Sequence, residues 1–166
     1  MNNCALLPLA FLFVSCASVS REQMAQQAKT YNLPYQPEKE EGVVYVLRPS
    51  YLGAVIRFNV FFNDTAEKSE IGWTRGGQYV YFFAKPGEHV FYSSAENTAS
   101  LKVKVEAGKA TFIRQEPSMG FIMARNSLNE VDETEAKYHM MNLTPGNIIQ
   151  TRMPAEASER LPASKK

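Results

Sequence analysis

Leu101-Lys102-Val103-Lys104-Val105-Glu106 decides the fold class, because apolar and charged side chains alternate along it with a period of two. Successive side chains of a β-strand point to opposite faces, so this run has one dry face and one wet one. A helix would scatter the same residues around its whole circumference. Outward from it, Ile56, Phe58, Val60 and Phe62 alternate with Val55, Arg57, Asn59 and Phe61 in a second such run. Val43 to Leu47 and Tyr79 to Phe83 are apolar at every position, as central strands covered on both faces are. Gln78 to Phe83, Glu88 to Ser93, Lys109 to Gln115 and Met119 to Ala124 complete seven candidate strands. Turn residues separate most of them: Asn63-Asp64, Gly76-Gly77, Pro86-Gly87, Ala107-Gly108-Lys109 and Pro117-Ser118. Seven short strands so closely punctuated predict a mainly β domain over residues 42–143, an antiparallel β-sandwich of immunoglobulin-like size.

One C-terminal helix is expected, roughly Val131 to Asn142. Asn129 or Asp132 can cap it, and Asp132, Glu133 and Glu135 sit where acids suit a helix N-terminus. Val131, Tyr138 and Met141, with Leu128, would give it an apolar side, and Thr144-Pro145-Gly146 would end it. Residues 144–166 read as a disordered tail, since from Met153 the chain is Pro, Ala, Ser and charge with little to bury. At the other end, residues 16–41 read as a flexible tether. Arg21 to Thr30 could form one weak helix, which Pro34, Pro37 and the charge run Glu38-Lys39-Glu40-Glu41 interrupt. As a coil, those residues would span roughly 25–30 Å.

No Lys, Arg, Asp or Glu precedes Arg21, and both cysteines, Cys4 and Cys16, lie in that uncharged stretch. Ala5 to Val14 is apolar throughout. A helix of that length reaches only about 15 Å, half of a hydrocarbon core of roughly 30 Å, which suits a secretory signal over residues 1–15 and not a membrane span. Phe13-Val14-Ser15-Cys16 resembles the lipobox of bacterial lipoproteins, with Phe13 where Leu is usual. The resemblance implies that Cys16 receives a diacylglyceryl group and becomes the mature N-terminus. Ala17, which is not Asp, implies the outer membrane. Three other readings stay open. Ser15-Cys16-Ala17 also fits an ordinary signal-peptidase site; the apolar block could be a retained anchor; or it could be an apolar terminus of a cytosolic protein. Lipidation alone gives the odd cysteine left after cleavage a use.

A formal net charge of +1, from 18 cationic and 17 anionic side chains, carries no basic excess of the kind that nucleic-acid binding needs. With two histidines and no further thiol, the chain offers few catalytic sets, and no cofactor or metal is expected. His89 follows a Pro-Gly turn and reads as a turn histidine bonded to backbone. His139 stands beside Met140 and Met141, which would suggest copper only if more ligands converged. Arg48 ends a strand before Pro49 and could bind an anion, but more simply pairs with loop carbonyls or a carboxylate. Arg75-Gly76-Gly77 lacks the spacing of a phosphate loop, and the acids at 132, 133 and 135 are explained by the helix. Trp73, Tyr79, Tyr81, Phe82, Phe83, Phe91 and Tyr92 could include a sugar-stacking platform, although alternation puts about half of them inside.

Val43-Val44-Tyr45-Val46-Leu47-Arg48-Pro49-Ser50, Gly53, Asn63-Asp64, Ile71-Gly72, Gly77-Gln78-Tyr79, Pro86-Gly87-Glu88-His89 and Gly108-Lys109-Ala110-Thr111-Phe112 form a pattern in order. It resembles a domain-of-unknown-function family found in bacterial lipoproteins. The resemblance covers residues 42–143 and implies a β-sandwich on a lipoprotein, with no activity attached, so these residues are fold markers. The expectation is a non-enzymatic interaction or structural module, held on the envelope membrane by a covalent lipid, with an envelope protein or peptidoglycan as partner. A glycan- or small-ligand-binding module, marked by exposed aromatics beside Arg48 or Trp73, is the second reading. A hydrolase using His89 is the third.

Overall fold

A computed structural model describes residues 18–37, 39–121, 124–149 and 157–158. The expected signal segment 1–15 and Cys16 lie outside the described residues, as does most of the chain beyond residue 149. The chain runs α1 (Arg21–Ala28), β1 (Gly42–Arg48), β2 (Phe58–Phe62), β3 (Glu70–Thr74), β4 (Gln78–Ala84), β5 (Gly87–Ser94), β6 (Thr98–Val105), β7 (Ala110–Met119), β8 (Ala124–Val131) and α2 (Glu133–Met140). Three two-residue strands follow: β9 (Thr144–Pro145), β10 (Asn147–Ile148) and β11 (Ala157–Ser158).

The strands form a β-sandwich. One sheet has the order β11-β4-β1-β7-β8, with β9 also beside β4; the other is β10-β3-β2-β5-β6. Pairing is antiparallel except for β1 with β7 and β4 with β9, which run parallel. The alternating runs behave as their period requires. Phe58, Val60, Phe62, Val103 and Val105 are buried, while Lys102 and Lys104 face solvent. Between the sheets, Val44, Val46, Val80, Phe82 and Ile113 meet Val60, Phe62, Ile71, Phe91 and Val103.

A second apolar layer explains why β1 and β4 are buried on both faces. Val43, Tyr45, Leu47, Tyr79, Tyr81, Phe83 and Phe112 project from the outer face of the β4-β1-β7 sheet, where Leu33, Tyr35, Ala136 and Met140 cover them. Tyr79, Tyr81, Phe82, Phe83 and Phe91 are therefore core residues and not a stacking platform. The covering helices are two. Ser20 caps α1 with a reciprocal Gln23 bond, and α1 packs on α2. Asp132 caps α2 by accepting from Thr134 and Glu135 backbone N–H groups.

Several sequence expectations are corrected. Within the flexible tether expected over 16–41, residues 18–37 are packed on the domain: Leu33 is buried, Tyr35 stacks on Tyr81 at 3.8 Å, and the Tyr45 hydroxyl donates to the Tyr35 carbonyl at 2.7 Å. Pattern reading weighs amphipathic periodicity, and three apolar anchors spaced through a polar stretch do not register as a period. The tail expected to be disordered over 144–166 is likewise ordered at its start. Thr144–Pro145 and Asn147–Ile148 pair with β4 and β3, because Gly72 and Gly146 leave room for the backbones to meet. The strand expected at Met119–Ala124 is not continuous: Met119 ends β7, Ala124 begins β8 opposite it, and Ile122 and Met123 lie outside the described residues, while Pro117 lies inside β7. Pairing of β1 with β7 ends at Arg114, so Pro117 falls where β7 has one neighbour and a missing N–H is tolerated. On α2 the buried positions are Ala136 and Met140, four residues apart on one face, and not Tyr138 or Met141.

Candidate functional site

Parallel pairing carries β1 and β7 to the same end of the sandwich, and α2 rises beside them. Where they finish, a cleft of about 420 Å³ opens between the segment after β1, the middle of β7 and the end of α2. Pro49, Ser50 and Tyr51 form one wall, Arg114 and Glu116 the floor, and Tyr138, His139, Asn142 and Leu143 the other wall. Alternation along β7 sends Arg114 and Glu116 outward and Gln115 inward.

The floor is electrostatically closed on itself. Arg114 donates through Nη1 to Glu135 Oε1 and through Nη2 to Glu116 Oε1 at 2.7 Å, so one guanidinium clamps two carboxylates. Asn129 Nδ2 holds the other Glu116 oxygen at 3.0 Å. Arg114 Nε is buried without an acceptor. His139 Nε2 lies 3.9 Å from Glu135 Oε1. Loss of water around the ring pushes the His139 pKa below its ordinary value; Glu135 pulls it up and Arg114 pushes it down, and desolvation wins. With His139 neutral, the clamp carries two negative charges against one positive.

Tyr51 is held by a local device. Gly77, at φ +75°, lies against its ring, and a Cβ there would stand 2.6 Å from the hydroxyl oxygen. A side chain at 77 would have to displace the ring, so glycine is required for two reasons at once.

The other candidate residues separate. Arg48 is fully buried and stacks on Phe58 at 3.6 Å. It donates to the carbonyls of Ile56, Leu52 and Gly53 at 2.6, 3.0 and 2.9 Å. Burial pushes its pKa down to about 10, which leaves it charged at neutral pH. It therefore knots the 52–56 loop and presents no face to an anionic ligand. Trp73 has Arg57 and Arg75 over its ring at 5.4 and 5.1 Å. His89 is buried against Phe62, with Nε2 2.9 Å from the Lys85 carbonyl oxygen and Nδ1 3.5 Å from the Asn63 amide. Both ring nitrogens are engaged, as in a turn histidine bonded to backbone. His139, Met140 and Met141 do not converge: Met140 is core, and no cluster of three His, Cys, Asp or Glu suited to a metal occurs among the described residues.

Beside the cleft, the same end of the sandwich is apolar on its outside. Phe121 is 96% exposed, Met119 85%, Val55 84% and Tyr51 68%. Exposed Arg57, Arg75 and Arg125 accompany them. The α1 side lies elsewhere, since Arg21 pairs with Asp132 at 2.9 Å just after β8 ends. Val131 is opposite Phe112 and Ala124 opposite Met119. Seven residues of strand thus separate the two levels, roughly 23 Å. Pattern reading missed this tip and cleft. Only the four apolar residues Met119, Phe121, Ile122 and Met123, broken by Gly120, hinted at them, and they read as a strand.

A protein of Haemophilus influenzae (strain Rd), named only as uncharacterized, is 28% identical over 134 residues, covering 80% of this chain and 77% of that one. No family model matches the chain, and no solved structure matches it.

Proposed function

We propose that this protein is a lipid-anchored module of the bacterial cell envelope that binds a partner and does not transform one. Cys16 is the lipidated residue, on the outer membrane facing the periplasm, and the fold it carries is the β-sandwich of the lipoprotein family that residues 42–143 resemble. One observation supports the binding role above others. Four large apolar side chains are exposed together at the end of the sandwich roughly 23 Å from the level where α1 meets α2. Only Ala17 to Ser20 separate Cys16 from α1, at most about 14 Å of chain. A domain held so closely at one end offers the other end to the periplasm. The cleft adds no argument for catalysis, because Glu116 and Glu135 are both bound by Arg114.

Two measurements test the reading. Wild-type protein should incorporate labelled palmitate and enter the detergent phase, while Cys16→Ser should do neither; equal partitioning would make the apolar block the anchor. A photo-cross-linking residue at 121 should capture an envelope component that the same residue at 102 does not. Equal capture at both positions would remove the tip from the argument.

A further inference from the structure

The geometry points to the cleft between Tyr51 and Tyr138 as a binding site for a short N-acetylated saccharide. This rests on the envelope reading only for the source of the sugar. The chemistry of the walls selects the class. A saccharide needs an aromatic face for its C–H side and fixed planar polar groups for its hydroxyls. Tyr51 supplies an exposed ring seated over Gly77, and Tyr138 also lines the cleft. Glu116 is fixed by Arg114 and Asn129 and accepts from hydroxyls; Ser50 and exposed Asn142 at the rim both donate and accept. Pro49 and Leu143 add the apolar contact that an acetamido methyl would take. The volume of about 420 Å³ accommodates one to two sugar rings.

Competing ligand classes fit less well. A phosphate or nucleotide would meet a single guanidinium already neutralised by two carboxylates. A metal would find no cluster of three suitable donors among the described residues. An amine would be drawn by the excess carboxylate but would have to approach Arg114, whereas a neutral sugar uses the same carboxylates without that repulsion.

The test titrates the full-length Cys16→Ser chain, labelled with nitrogen-15, with chitotetraose, four linked N-acetylglucosamine units. Saturable shifts at the Tyr51, Glu116 and Asn142 amides are expected, with a dissociation constant on the order of 1 mM or tighter. Tyr51→Ala should weaken binding at least about tenfold, as loss of a stacking ring does. Asn142→Ala, on an exposed rim residue, gives a second variant should the first melt early, and Lys102→Ala on the far sheet should bind as wild type. No shift at about 10 mM sugar, equal binding by Tyr51→Ala and Asn142→Ala, or tighter binding of the fully deacetylated tetramer would each overturn the proposal; the last would make the cleft an amine site. Sugar failure with palmitate labelling intact sinks this site and leaves the anchored module. Sugar binding without labelling does the reverse.

Discussion

Replacing Arg48 by Met removes a buried charge of similar length, and the structure says how much that should cost. Three loop carbonyls, at 52, 53 and 56, lose a charged donor. Hydrogen bonds to a charged group contribute about 1.5–3 kcal/mol each, so the gross loss is roughly 5–9 kcal/mol. Against this stands the desolvation of the guanidinium, an effective several kcal/mol that the substitution returns. Its Nε, buried without an acceptor, shows that the desolvation is incompletely compensated. The loop is also surface-lying, so water can reach part of what Arg48 leaves. A net loss of about 3 kcal/mol remains, which for a domain of this size lowers the melting temperature by roughly 10 °C. Thermal unfolding followed by circular dichroism measures it. Limited proteolysis should show new cleavage at 51–57, and chitotetraose binding should fall because Tyr51 belongs to that loop. Arg48→Lys should recover less than half of the loss, since one ammonium cannot reproduce the guanidinium fork that meets all three carbonyls. A Met variant within about 0.5 kcal/mol of wild type, with the loop still protected, would refute the reasoning.

Other expectations follow from the packing and the charges. Phe82→Ala, in the inter-sheet core, should cost about 3–5 kcal/mol by urea unfolding, while Lys102→Ala on the wet face should stay within about 0.5 kcal/mol. Met140→Ala should destabilise by about 2–4 kcal/mol and Met141→Ala by far less, because only Met140 enters the layer under α2. The lowered pKa of His139 has a definite sign. The unfolded imidazole takes a proton near its ordinary value of 6.5 and the folded one only below that, so stability is full above 6.5 and falls as the pH drops through that value. His139→Gln should flatten the fall in stability that begins as the pH drops below about 6.5, as followed by denaturant midpoints.

What could be read from the chain beforehand was whatever depends on a period or a stop. The run at 101–105 alternates strictly, so its buried face follows from residue order alone, and at 58–62 Phe58, Val60 and Phe62 follow the same rule although Phe61 is buried too. Asp132 as N-cap is equally local, since a short carboxylate facing the next turn's N–H groups needs nothing distant. Arg48 as a binder of loop carbonyls was also within reach, because an arginine at a strand end before proline has its own loop as the nearest acceptor. Three features were not. Residues 18–37 pack through Ala28, Leu33 and Tyr35, a spacing that matches neither helix nor strand. Strand β3 is interrupted by Gly72, where Asn147 approaches the backbone, and a glycine inside a five-residue strand hides its alternation. The cleft joins residues 50, 114 and 142, and its existence depends on β1 and β7 running parallel, which no local pattern encodes.

The tip end of the sandwich inverts the usual placement of polar and apolar groups. Its interior holds Arg48, Thr74, Ser93, Gln115 and Asn126, all buried. Gln115 accepts from Thr74 and donates to Ser93 at 2.8 Å, and Asn126 donates to the Ser93 carbonyl at 3.3 Å, so polar groups tie the two sheets together there. The exterior of the same end holds Val55, Met119 and Phe121. Burying polar groups and exposing apolar ones each costs stability, and exchanging the two sets would relieve both. The opposite end also buries polar groups, Ser69, Glu70 and His89, but its outside is charged: Val105 is inside, and Glu106 with Lys109 is outside. Folding alone gives no reason for the asymmetry. A hydrogen-bonded interior, unlike an apolar one, has a single geometry, and it fixes the loops above it without needing their apolar side chains for the core. Those side chains are then free to project. An end built this way is rigid and apolar outward, which is what a contact surface requires and an isolated domain does not.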